Sequence, residues 1–298
     1  WQDLEVFTLL KKKVQDLLSE FQPDCLHISG SHFGLLFLLQ FVRHRLPTLA
    51  PLHGPMVGRD GLLPPSSRMS LARAHRIVCC SQWTLVHARE QLPELTDRLS
   101  LVVNALRFPG KRPSWKHPST PRLLFAGRLA KEKGLDVALA ALSLLPEDFH
   151  LSLAGEGPAQ AAALQQLEQQ GLSHRVHFLG RLSPPALLEE MGQSLALIVP
   201  SHVEGFGLVA LEASWVGCPV VASEVGGLPE VVLDQQTGLL VTPKDPAALA
   251  QAALQLWQRP EWTRQLSSQA RQRVDQTFCW ETFVEQYLQI YQQVLAHP

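Results

Sequence analysis

Short runs of apolar and β-branched residues alternate along the chain with longer amphipathic stretches, first over residues 24–104 and again over residues 122–242. The strand-like runs of the first cycle are DCLHIS (24–29), TLAPLH (48–53), RIVCCS (76–81) and SLVVN (100–104). Those of the second are RLLFAG (122–127), FHLSLAG (149–155), RVHFLG (175–180), LALIVP (195–200), PVVAS (219–223) and GLLVT (238–242). Strands alternating with helices predict an α/β fold of parallel sheets with helical crossovers. Six strands complete a doubly wound domain. The first half shows only four and opens with a helix over Asp3 to Glu20, so its opening strand or strands are expected to be missing.

The punctuation fits this division. FPGKRPSWKHPST, residues 108–120, carries three prolines, a glycine and three Lys/Arg, and reads as a linker. The expected organisation is a first, incomplete domain over 1–107, the linker, a second domain over 121–279 and a terminal helix over 280–298. That helix places Phe283, Tyr287, Ile290, Tyr291 and Val294 on one face, which is expected to pack back toward the first domain. Ser183 before Pro184, and Asp245 before Pro246, are N-cap residues ahead of first-turn prolines. Leu208, Leu211 and Trp215 form an i, i+3, i+7 stripe expected in the core.

Composition narrows the function classes. A chain of 298 residues has room for two domains, and 46% hydrophobic with 18% charged residues is a globular balance. Lys and Arg number 26 against 27 Asp and Glu, so no overall basic field exists to hold a nucleic-acid backbone. Five cysteines without a Cys-x-x-Cys pair, four of them in or beside apolar runs, read as buried thiols of a reducing compartment. FGLLFLLQFV, Phe33 to Val42, is about half of the roughly 20 residues that a membrane span needs and reads as a buried or membrane-touching helix. The opening WQDLEVF followed by KKK is not a signal peptide. The expectation is a cytoplasmic protein with peripheral contact at the inner face of a membrane.

Candidate chemistry lies after the strands. In AGRLAKEKG (126–134), Arg128 and Lys133 follow a strand end, where an arginine fork and a lysine point charge suit a diphosphate. In HVEGFGLVALEASWVGCPVV (202–221), Glu204 precedes Gly205, Phe206 and Gly207, and a helix is expected to start near Phe206 to Leu208 with free amides turned toward an anion. Glu212 falls one to two turns into it, placed to grip vicinal hydroxyls. Gly226 and Gly227 mark another phosphate-compatible turn, whereas AGEGPA (154–159) reads as a tight turn. No Asp-x-Asp triplet is present to hold a divalent metal, and no Gly-x-Gly-x-x-Gly follows a strand, which disfavours a dehydrogenase.

From Arg122 to about Leu295 the consecutive motifs GRLAKEKG, GEGP, FLGRL, PSHVEGFGLVALEA, GCPVVAS, GGLPEVV and FCWETFVEQYLQIYQQVL resemble the donor domain of retaining GT-B glycosyltransferases of family 4. The resemblance implies two Rossmann-like domains facing a cleft. It also implies metal-free transfer of a sugar from a nucleoside diphosphate to an acceptor hydroxyl, with retention and without a cofactor. By position, Arg128 and Lys133 would hold the diphosphate. Glu204, Gly205, Phe206, Gly207 and Leu208 would meet the sugar and phosphates, Glu212 the ribose, and Gly180, Arg181 and Leu182 the base. In the first half LHISGSHFG, TLAPLHG and IVCCSQW resemble the acceptor domain, and His53 is the implied active-site histidine. Catalytic roles thus fall to Glu204, His53, Arg128 and Lys133. Expected partners are the nucleotide sugar, a sugar, lipid-linked or other hydroxyl acceptor, and a second chain completing the first domain. The alternatives are a non-catalytic nucleotide-sugar-binding module, half of a split enzyme, or a nucleotide-sugar epimerase.

Overall fold

The computed structural model describes residues 2–28, 41–42, 46–54, 63–107 and 110–296. Most of the apolar run from Phe33 to Val42, the loop after LHIS and the first two residues of the linker lie outside them. Contacts divide the chain into one unit of Trp1–Asn104 with Glu281–Pro298 and a second of Ala105–Trp280.

The first unit carries α1 (Gln2–Phe21), β1 (Leu26–His27), β2 (Thr48–Leu52), α2 (Pro65–Leu71), β3 (Arg76–Cys79), α3 (Gln82–Gln91) and β4 (Leu99–Leu101). Its four strands are parallel and lie in the order β1-β2-β3-β4. All five residues of β2 are buried, as expected of a parallel strand covered on both faces. Ala50, Leu52, Ile77 and Cys79 point to one layer, where Leu85 and Ala88 of α3 meet them. Leu49 and Val78 point to the other, against Ile290 and Val294 of the terminal helix α11 (Trp280–Ala296), with Phe283, Tyr287 and Tyr291 alongside. The aromatic face read in the sequence is therefore the cover of the first sheet.

The second unit runs β5 (Arg122–Ala126), α4 (Leu135–Ser143), β6 (His150–Ala154), α5 (Gln160–Gln170), β7 (Val176–Gly180), α6 (Pro184–Gln193) and β8 (Ala196–Val199). It continues with α7 (Leu208–Val216), β9 (Val220–Ser223), α8 (Leu228–Val231), β10 (Leu239–Val241), α9 (Pro246–Gln258) and α10 (Pro260–Thr277). The strand order is β10-β9-β8-β5-β6-β7, all parallel. This is the doubly wound order, with its switch between β5 and β8, where the crossovers change direction and ligands of such sheets bind. Leu123, Phe125, Leu151, Leu153, Ile198 and Val221 fill the core together with Leu139, Leu142, Leu249 and Leu256 from the helices.

Some sequence expectations change. The segment from Arg112 to His117 is no free linker: Trp115 is buried, its indole Nε1–H donates to the Ser194 carbonyl at 2.7 Å, and Arg112 pairs with Asp275 and lies over the Trp215 ring. A tryptophan offers so much apolar area that a chain passing its own domain folds it in. Leu208 is 42% exposed, unlike Leu211 and Trp215, because it is the first residue of α7 and projects from the sheet edge rather than into the core. Asp245 caps α9 through the Ala248 N–H at 2.9 Å, whereas the Ser183 hydroxyl makes no cap bond. Cys79, Cys80 and Cys218 are buried, while Cys25 and Cys279 are partly exposed. Burial pushes the Cys218 thiol up to about 12, far from reactive thiolate character. No helix among the described residues is long and apolar enough to cross a membrane.

Truncating the fully buried Leu49 tests whether α11 is integral to the first unit. Leu49→Ala should cost about 2–5 kcal/mol, lowering the denaturation midpoint of the first unit while leaving the transition of the second in place.

Candidate functional site

The residues singled out in the second unit gather at the carboxyl ends of β5 and β8, the switch point of its sheet. After β5 the chain turns at Gly127, runs through Arg128, Leu129 and Ala130, makes one short helical turn over Lys131–Lys133 and enters α4. The GEGP turn that follows β6 braces this loop. The Leu129 N–H donates to the Glu156 carbonyl at 2.9 Å, and the Ala159 N–H to the Leu129 carbonyl at 2.9 Å. Leu129 is fully buried, whereas Arg128 is exposed and pairs with Glu132 one turn on. The two lie four residues apart across the loop and the short turn that follows it.

The loop after β8 carries Glu204. Lys133 Nζ lies 2.8 Å from Glu204 Oε2, and the Ser201 hydroxyl donates to the same oxygen at 3.3 Å. The His202 N–H donates to the Glu132 carbonyl at 2.9 Å, tying the two loops together through the backbone as well. Both members of the ion pair are mostly shielded, with side chains 31% and 15% exposed. Beyond Glu204, Phe206 is buried, and Gly207 takes a left-handed conformation at the start of α7. The first-turn amides of a helix lack intrahelical acceptors, and its dipole makes that end attractive to anions.

Several glycines of these loops have no room for a side chain, and two of them fix the Glu204 loop and its approach to α4. A Cβ on Gly134 would overlap the Pro200 carbonyl, and one on Gly226 would overlap the Glu204 carbonyl. Both glycines also have positive φ, 72° and 58°, which side-chain-bearing residues rarely adopt. The Gly227 N–H completes the second contact by donating to the Glu204 carbonyl at 3.1 Å. The Gly226–Gly227 turn, read in the sequence as phosphate-compatible, thus clamps the Glu204 loop.

Glu212 is in the second turn of α7, half-buried, and burial raises its carboxyl pKa above the ordinary value. Gly180 ends β7, on the same sheet edge two strands from β5, and its carbonyl accepts from the Gly155 N–H at 2.8 Å. Arg181 beside it is exposed, and Leu182 is half-buried.

His53 belongs to the first unit and follows β2. It lines a cavity of about 350 Å³ with His27, Phe283, Val284, Tyr287 and Tyr291. His27 Nδ1 is hydrogen-bonded to the Tyr291 hydroxyl, and its ring stacks on Tyr287. His53 keeps an exposed edge, yet the surrounding protein desolvates it and lowers its pKa; desolvation, then the neighbouring His53, lowers that of His27. Both imidazoles are therefore neutral at neutral pH. Sequence reasoning missed Glu132, Ser201 and His27. Arg128 and Glu132, and Ser201 and Glu204, are local pairs within one motif each, whereas His27 meets a partner 264 positions away.

Residues 109–273 match the family described as glycosyl transferases group 1. A glycogen synthase of Mycobacterium tuberculosis is 37% identical over 194 residues, covering 63% of this chain and 46% of that protein, so the chain spans about half the length of this relative. Among solved structures, sucrose-phosphate synthase from Thermosynechococcus elongatus superposes with a TM-score of 0.87 at 25% identity, over 99% of this chain and 79% of that one. Anabaena HepE in complex with UDP-glucose superposes with a TM-score of 0.80 at 22% identity, over 95% and 82%. The two parallel-sheet units thus make a GT-B fold, and with the family match covering more than half its length, the chain belongs to the glycosyl transferases group 1 family.

Proposed function

We propose that this protein moves a sugar from a nucleoside-diphosphate sugar to an acceptor hydroxyl, with retention of configuration and without a metal or cofactor. The observation that carries the reading is the 2.8 Å contact of Lys133 with Glu204 at the sheet's switch point, beside the start of α7. It sets one cation and one carboxylate where a diphosphate and its sugar would meet. That HepE, a fold neighbour, was solved with UDP-glucose supports the same donor class.

In this reading the diphosphate takes Lys133, Arg128 and the first-turn amides of α7 as its ligands, and Arg128 exchanges Glu132 for phosphate. As the glycosidic bond breaks, negative charge builds on the leaving diphosphate, and these fixed positive groups stabilise it. Losing one such group commonly costs about 2.7–4 kcal/mol of barrier. Glu204, released by Lys133, orients the sugar, with Gly205, Phe206, Gly207 and Leu208 lining its approach. Glu212 accepts from the ribose hydroxyls, and Gly180, Arg181 and Leu182 flank the base. His53 is the residue of the first unit assigned to the transfer. Retention follows from a same-face displacement in which the leaving phosphate takes the acceptor proton.

Arg128→Ala and Lys133→Ala should each weaken UDP or GDP binding by about tenfold or more, equivalent to about 1.4 kcal/mol, while uridine or guanosine binding stays unchanged. Titration calorimetry separates the two, and assays of donor hydrolysis and of transfer should lose turnover in parallel. Equal losses for nucleoside and diphosphate would mean damage to the fold and would sink the assignment.

Glu212 offers a test with a definite sign. Its folded-state pKa is raised by burial, so between its unfolded and folded pKa values the native state holds more protons, and stability falls as pH rises through that window. Glu212→Gln should therefore melt higher than the parent at neutral pH, with the gap closing as pH drops toward the ordinary glutamate value. The same variant should bind UDP or GDP more weakly, because the amide is a poorer acceptor for ribose hydroxyls. A variant that is neither more stable nor weaker in binding contradicts the assigned role.

A further inference from the structure

A second polar cavity lies on the opposite edge of the same sheet. Trp115 donates to the carbonyl of Ser194, just ahead of β8, and His117 stacks on Trp257, whose ring meets Phe149 just ahead of β6. These are the amino ends of the strands, whereas Arg128, Lys133 and Glu204 occupy the carboxyl ends. The cavity measures about 570 Å³, a volume suited to a small ligand. Lys116, His117, Arg264, Ser267 and Arg271 line it beside Trp115, and no carboxylate is among the described residues of its lining.

The charge account is uneven. Arg264 pairs with Glu261 on its own helix. The nearby Asp275 is held by Arg112. Lys116 and Arg271 have no hydrogen-bond or ion-pair partner among the described residues. The Arg271 stem is fixed by packing: a Cβ on Gly217 would come within 2.8 Å of its Cδ and 2.9 Å of the Ser267 hydroxyl. His117 lines the cavity beside them, half-buried and with its ring stacked on Trp257.

We propose that this cavity binds a phosphorylated sugar. Two unpaired cations and a third in a readily exchanged surface pair match a phosphate dianion, with the guanidinium fork of Arg271 as its main ligand. The exposed Ser268 hydroxyl supplies a polar contact for the ring hydroxyls, and the half-buried His117 ring supplies a flat surface against which the sugar packs. The site is separate from the donor site and does not depend on the assignment made there.

Titration calorimetry on the full chain tests this with three probes: glucose 1-phosphate, glucose and inorganic phosphate. Glucose 1-phosphate should bind about tenfold or more tightly than inorganic phosphate, glucose should not bind measurably, and raising the salt concentration should weaken the complex. Arg271→Ala should reduce affinity about tenfold or more, with UDP binding retained. Because the Arg271 stem also packs, the double variant Lys116→Ala with Arg264→Ala, both exposed side chains, provides the second reading and should show a similar loss. Undiminished binding in both variants, equal affinity for glucose 1-phosphate and inorganic phosphate, or displacement of the sugar phosphate by UDP would overturn the proposal.

Discussion

The candidate site rests on backbone approaching backbone. At the switch point between β5 and β8, the chain after one strand touches the chain after the other with no side chain between them, Gly134 on the Pro200 carbonyl, and from the loop after β9 Gly226 lies in the same way on the Glu204 carbonyl. Closed in this way, the loops carry Lys133 and Glu204 to within 2.8 Å. A larger residue at either glycine would force the loops apart and separate the charges. Parallel sheets set this stage, because strands that change winding direction leave a crevice at their carboxyl ends. The glycines narrow that crevice until its charged groups meet.

The charges within the crevice are already paired. Lys133 is held by Glu204 and Arg128 by Glu132, so under the proposed function a diphosphate would gain its contacts by exchange rather than by meeting bare cations. Such exchange lowers net affinity but keeps the two shielded groups from being left uncompensated, which is costly away from water. The same proposal couples the two events, since a phosphate that captured Lys133 would release the Glu204 carboxylate for the sugar. Glu212 contributes in the opposite sense. Its carboxyl is partly buried without a balancing charge among the described residues, and the resulting rise in pKa marks a group kept at some expense to stability.

Much of this was legible in the sequence, for identifiable reasons. All ten predicted strands form, because short β-branched runs between glycine and proline punctuation have few other uses. The motif after β8 announced a loop, a helix start near Phe206 to Leu208 and a glutamate one to two turns in, and the helix starts at Leu208 with Glu212 in its second turn. Leu208 escaped because helical periodicity gives a face but not where the helix begins relative to the sheet edge; the first residue of α7 stands clear of the core. The segment around Trp115 escaped because proline and charge mark a break in secondary structure without saying whether the chain packs there. His27 beside Tyr287 and Tyr291 escaped because their meeting joins residues more than two hundred positions apart. The role of Gly226 and Gly227 needed the fold too: a glycine pair after a strand fits a phosphate turn or a close contact equally well, and here the Glu204 loop fills the space.

Hydrogen exchange of the full chain with and without saturating UDP tests the central claim most directly. If the interlocked loops at the switch point form the diphosphate site, exchange should slow across residues 127–134, 204–212 and 226–230 and stay unchanged around 111–117. Slowing confined to other segments, or none at saturation, would contradict the account.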